Sequence, residues 1–190
     1  MFVQIGQLLV DAAASLFVYL LLVRFHFQWL RVPFRNPIGE FVIAGTNWVV
    51  RPARKLIPPL AGLDLATLIA AWLLQALALY LLGAIAGGGL GAEPGRMIAV
   101  LMVGAAFDLL RFSVYILIFA VIVQAVLSWV NPHSPVQPLF DAMTRPFLRP
   151  LRRLIPLLGN VDLTPLLLLL LLQVALIALA HLRGAAGGLF

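Results

Sequence analysis

Four stretches of this chain are apolar for long enough to cross a bilayer, and every other reading has to accommodate them. A spanning helix needs about 20 predominantly apolar residues. Residues 5–25 supply one such run, interrupted by Asp11 and edged by Arg24. Residues 65–86 carry no charge, with Thr67 and Gln75 as polar members. Residues 112–129 are uncharged, and residues 163–180 are almost continuous leucine around Gln173. Helices are the expected form, because a lipid-exposed backbone must satisfy its own hydrogen bonds. The period-two alternation of a membrane barrel is absent. Composition agrees: 63% of the 190 residues are hydrophobic and 11% charged, against about 45–50% and about 25% in soluble domains. A soluble enzyme and a disordered chain are both excluded. Cysteine is absent, which removes disulfides, thiolate metal sites and cysteine nucleophiles.

One apolar region is harder to place. Residues 97–110 precede the third run, with Asp108 and Arg111 between them and its uncharged part. A single helix from 97 to 129 would be about 50 Å long, against a hydrocarbon core of about 30 Å. A break or bend near Asp108 at the membrane interface is therefore expected, the alternative being one long tilted helix. Asp108 and Arg111 are three apart and can pair on one helix face. The first run lacks the basic residues that precede a signal peptide's apolar core, so it reads as a retained span.

Charge sets the orientation. Of the 13 Lys and Arg residues, Arg24, Arg31, Arg35, Arg51, Arg54 and Lys55 fall between the first two runs, and Arg145, Arg149, Arg152 and Arg153 between the last two. The positive-inside rule assigns both basic loops to the cytoplasm and both termini to the other side. The net charge of +6 is on this reading a topology signal. No nucleic-acid-binding module is visible, and nucleic acid is not expected as a partner.

The chain also repeats itself. Arg51-Pro52-Ala53-Arg54-Lys55-Leu56-Ile57-Pro58 is answered 98 residues later by Arg149-Pro150-Leu151-Arg152-Arg153-Leu154-Ile155-Pro156. Asp64 and Asp162, and Gln75 and Gln173, keep the same spacing. Tyr19 answers Tyr115, Gln28-Trp29 falls near Gln124, and Asn36-Pro37 answers Asn131-Pro132 with small gaps. Two spans return the chain to its starting side, so the copies, residues 1–90 and 91–190, should run parallel, joined by the flexible glycine-rich connector from Gly87 to Gly95.

The second copy reads Trp129-Val130-Asn131-Pro132-His133-Ser134-Pro135, then Thr144-Arg145-Pro146-Phe147-Leu148-Arg149-Pro150 and on to Pro156, a glycine and Asp162. This resembles the YggT family of bacterial membrane proteins, in its two-copy proteobacterial form. The first copy departs from the pattern, with Asn47-Trp48 where the second has Arg145-Pro146. The resemblance implies a bacterial inner-membrane location, and links to cell division, osmotic stress tolerance and maturation of membrane components. It implies no single biochemical activity.

Both loops are amphipathic at helical spacing. Ile38, Phe41, Val42, Trp48 and Val49 share one side in the first, with Glu40 and Asn47 off it. Leu139, Phe140, Met143, Phe147 and Leu151 do so in the second, against Asp141, Thr144, Arg145, Arg149 and Arg152. Such helices lie in the membrane interface with basic residues at the phosphates, and Pro146 and Pro150 should break or kink the second. The expected fold is thus all-α: two tandem parallel repeats of two transmembrane helices, with amphipathic interfacial helices in the cytoplasmic loops.

The candidate functional residues follow. Arg51, Arg54, Lys55, Arg149, Arg152 and Arg153 form a basic interfacial motif framed by Pro52, Pro58, Pro150 and Pro156. They either anchor the span ends, dock a membrane or cytoplasmic protein, or bind anionic lipid headgroups. Asp64 and Asp162 each open a span, where a carboxylate caps exposed amides or pairs with a loop arginine. Gln75 and Gln173 lie about 16 Å beyond them, near mid-membrane, and could face each other across the bundle. They serve as packing glue or line a path. His26, His133 and His181 have no ligand spacing, and no nucleophile–base arrangement is present, so neither cofactor, metal nor catalysis is expected. A membrane scaffold or assembly factor leads. A small transporter or channel component is the alternative, and since four spans are too slender for a wide pore, it would need a homo-oligomer.

Overall fold

A computed structural model describes residues 1–59, 62–87, 93–131, 133–154 and 162–187. The described residues fold as six helices: α1 Phe2–Trp29, α2 Pro37–Leu56, α3 Leu65–Ile85, α4 Pro94–Val130, α5 Gln137–Leu154 and α6 Thr164–Gly187. Of these, α1, α3, α4 and α6 are long and apolar enough to cross a membrane. Local chemistry sets several boundaries. Asn36 caps α2, its side chain accepting from the Gly39 amide at 2.9 Å, and Pro37 occupies the first turn, where no donor is needed. Pro94 opens α4 in the same way, and α4 stops just before Asn131-Pro132, the residue before a proline being biased away from helix.

The two copies share a packing plan. In the first, α1 packs along α3, and α2 rests on both. In the second, α4 packs along α6, and α5 rests on both. The copies meet where α4 packs on α3 and, less extensively, on α1. The main core crosses that junction: Val18, Leu21, Leu22 and Phe27 of α1 meet Ala71 of α3, Leu109, Phe112 and Ile116 of α4, and Phe140 and Met143 of α5. A smaller cluster of Val121, Leu148, Leu168 and Leu172 belongs to the second copy alone. The outer surface stays apolar, with Leu8, Leu9, Phe119, Val126, Leu170 and Ile177 all exposed, as suits a lipid solvent.

Three expectations are corrected. Helix α4 does not break near Asp108 but runs unbroken over 37 residues. No proline interrupts it beyond its first turn, and Asp108 finds its partners inside the bundle. Helix α5 continues through Pro146 and Pro150. Both prolines lie on its exposed side, where water or headgroups can take the hydrogen bonds the ring forfeits. Thr144, placed on the polar face of α5, is fully buried. Pro156 lies outside the described residues.

Candidate functional site

Each loop helix is tied to the base of the span that follows it by an arginine–aspartate pair in repeat register. Arg54 near the end of α2 donates to Asp64 Oδ2 through Nη2 at 2.6 Å and Nε at 3.2 Å. Arg152 near the end of α5 donates through Nε to Asp162 Oδ2 at 3.0 Å. Each aspartate also caps its span. Asp64 accepts from the Thr67 amide at 3.4 Å and from the Thr67 hydroxyl. Asp162 accepts from the Thr164 amide at 2.9 Å and hydroxyl at 2.5 Å. Capping and pairing, alternatives in sequence, coexist in space.

The first clamp is the more enclosed, with 7% of the Asp64 side chain exposed against 30% for Asp162. Partial burial pushes the Asp64 carboxyl upward, but the hydrogen bonds from Arg54 and Thr67 and the Arg54 charge outweigh it and hold it below the usual carboxylate range. Asp162 is lowered too: burial raises it, and Thr164 and Arg152 more than compensate. A group with a depressed folded-state pKa contributes stability that is present above its unfolded pKa and lost as pH falls through its folded one. Acidification below about pH 4 should therefore loosen both loop helices. Proteolysis within residues 51–59 as a function of pH checks this, and Asp64→Asn should remove most of the dependence there.

Above each clamp sits a buried threonine, again 98 residues apart. Thr46 donates to the Val42 carbonyl at 2.6 Å and Thr144 to the Phe140 carbonyl at 2.9 Å. Their partners differ. Arg24 of α1, 5% exposed, donates through Nη1 to Thr46 Oγ1 at 2.8 Å and Asn47 Oδ1 at 3.0 Å, while its Nε has no partner. In the second copy the Gln124 amide takes that place, its Oε1 lying 2.8 Å from the Thr144 hydroxyl, whose one proton it shares with the Phe140 carbonyl, and its Nε2 reaching Asp141 Oδ1 at 3.4 Å. The matching Gln28 instead lies beside the first clamp, where exchanging its amide oxygen and nitrogen would let it accept from Arg54 Nη2 and donate to Asp64 Oδ2 at 2.9 Å.

A third cluster joins the copies. Asp108 of α4 is 2% exposed. It accepts from Gln75 Nε2 of α3 at 3.0 Å, pairs with Arg111 Nη2 at 3.0 Å and accepts from Arg183 Nη1 of α6. Gln75 is thus buried and occupied, whereas Gln173 lies on an exposed face of α6. The two amides do not face each other, because α6 presents Leu168 and Leu172 inward instead.

Among the basic residues, Arg51, Lys55, Arg149 and Arg153 are exposed, and none pairs with a carboxylate among the described residues. Pro52 and Pro150 lie within α2 and α5, and Pro58 just past α2, all exposed. Among the described residues no group of His, Asp and Glu could hold a metal ion. The sequence reading missed Thr46 and Thr144, although their spacing carried the signal, and it missed Arg24 and Arg183.

A model of the CCB3/YggT family matches residues 3–85 and again residues 103–183. The chain belongs to the CCB3/YggT family. Each matched segment contains one clamp, one buried threonine and two of the long apolar helices, so the internal duplication is a property of this CCB3/YggT chain in sequence and structure alike. YggT of Escherichia coli strain K12 is 28% identical over 95% of this chain and 92% of its own length. PA0392 of Pseudomonas aeruginosa is 31% identical over 87% of the chain and 83% of its own length. A protein from the proC 3' region of Vibrio alginolyticus is 30% identical over 88% and 89%. No solved structure matches.

Proposed function

We propose that this protein is a non-catalytic, multi-pass component of the bacterial inner membrane, a scaffold or assembly factor for envelope processes such as cell division or membrane-complex maturation. Its two copies run parallel, with both termini outside and α2 and α5 lying as amphipathic helices in the cytoplasmic interface. The observation that carries this reading is the division of labour among the loop cations. Arg54 and Arg152 are spent on Asp64 and Asp162. Arg51, Lys55, Arg149 and Arg153 remain exposed. A rigidly seated helix with cations turned outward is a surface for anionic headgroups and for an acidic protein partner, membrane-bound or cytoplasmic.

The test leaves the clamps intact. Replacing Arg51, Lys55, Arg149 and Arg153 by glutamine should abolish recovery of site-specific photocrosslinks between the loops and neighbouring proteins, while a carboxyl-terminal reporter still lies outside. An unchanged crosslink pattern in the quadruple variant overturns the scaffold role. The alternative, a transporter or channel component in osmotic adaptation, needs a wetted path past Gln75 and Gln173. Gln75 is engaged by Asp108 and Gln173 faces outward, which favours the scaffold. Flux through proteoliposomes that falls on Gln75→Leu substitution would reverse the order of the two readings.

A further inference from the structure

We infer that the first copy holds a phosphate-binding site at the end of α1, one that the described residues of the second copy do not reproduce. A concavity of about 480 Å³ opens where α1, α2 and the cap of α3 meet. Gln28, Arg31, Arg54 and Asp64 form its polar wall, and Phe27 and Phe34 belong to its apolar one. Asp64 Oδ2 already accepts from Arg54 and from the Thr67 hydroxyl. Arg31 therefore faces a cup whose single carboxylate is taken, and it pairs with no other acid among the described residues. The wall of the cup thus holds two guanidinium groups, Arg31 and Arg54, against one carboxylate.

A cup with that excess suits a tetrahedral oxyanion, since the guanidinium fork matches phosphate oxygens two at a time. The apolar wall beside the cations would accept the glycerol and first methylenes of a lipid, and free phosphate offers the same oxygens. The backbone supports the assignment. Arg31 has φ 53, a conformation glycine adopts freely and arginine does not. The position favours glycine on conformational grounds, so a long cation there needs a use beyond closing the turn.

The second copy keeps the Arg152–Asp162 pair but not the cup's charge. Its Gln124 turns to Thr144 and Asp141, which adds an acid, and the spacing from Gln28 to Gln124 sets Leu127 where Arg31 stands. This inference deepens the headgroup role proposed above and rests on the loops lying at the membrane face.

The full chain in detergent, titrated with phosphatidylglycerol and followed by native mass spectrometry, should hold one lipid more tightly than the rest. Arg31→Gln should weaken that first equivalent about tenfold, as for the loss of one charge-assisted pair, and Arg96→Gln, at the exposed start of α4, should leave it unchanged. Arg31→Gly should raise the melting temperature while losing the same affinity, separating the side chain from the fold. If inorganic phosphate displaces the lipid, the site accepts the free anion too; if only the lipid binds, it is a headgroup site. Equal affinity of wild type and Arg31→Gln for both probes overturns the inference. A reporter that places the loops outside the cell would overturn their cytoplasmic assignment instead, and leaves this titration valid.

Discussion

Removing both cations from Asp108, by Arg111→Gln with Arg183→Gln, should cost the folded bundle about 3–5 kcal/mol, the penalty of leaving a buried charge without its partners. The two arginine side chains are 44% and 40% exposed, whereas that of Asp108 is 3% exposed. Little is therefore lost from the arginines themselves. The cost lies in stranding the carboxylate, which only the Gln75 amide would then serve. Either single change leaves one cation in place and should cost about 1 kcal/mol, so the pair should be far from additive. Adding Asp108→Asn to the double variant should recover much of the loss, because a neutral amide no longer needs a counter-charge. Unfolding in mixed detergent micelles measures all four variants. Additive single effects with no rescue would show that the Asp108 charge does not depend on the two arginines.

Gly39→Ala should be nearly as damaging, at about 3 kcal/mol. A Cβ there would stand 2.4 Å from the Phe34 carbonyl oxygen and 2.9 Å from two further backbone atoms of the same residue. No flexible side chain is available to yield. The Asn36 cap fixes the start of α2, so the helix itself must shift, and Val42, Thr46 and Val50 leave the core with it. The internal control runs the other way. Gly83 in α3 and Gly184 in α6 have nothing within 4 Å of an added Cβ, and alanine there should stabilise by up to about 1 kcal/mol. Melting temperatures of the three single variants, measured side by side, decide the sign at each site.

The spans were legible because lipid leaves a chain so few options: uncharged runs of about 20 residues have to be helices. The duplication was legible because register between Asp64 and Asp162 survives where the intervening residues drift. Burial was not. Asp108 advertised only Arg111, three residues on, since helical spacing reveals neighbours within a helix, whereas Arg183 lies 75 residues away and depends on how α6 packs against α4. The prolines of α5 allowed a break or a kink from local sterics, and their exposed placement lets the helix continue through them. Equal spacing likewise made Gln75 and Gln173 look equivalent, yet a rotation of α6 about its own axis, invisible in sequence, turns one amide in and the other out. Thr46 and Thr144 stood in register all along, but an isolated threonine carries no signal until a neighbouring helix shows why it is buried.

The unbroken course of α4 has a mechanical meaning. At about 55 Å from end to end, it exceeds the thickness of lipid tails by nearly half its own length, and it touches α1, α3, α5 and α6 in turn. A helix of that length must project beyond the hydrocarbon at one end or both. Asp108 and Gln124 lie sixteen residues apart on it, about 24 Å along the axis, so one rod carries both the seam with the first copy and the seat of α5.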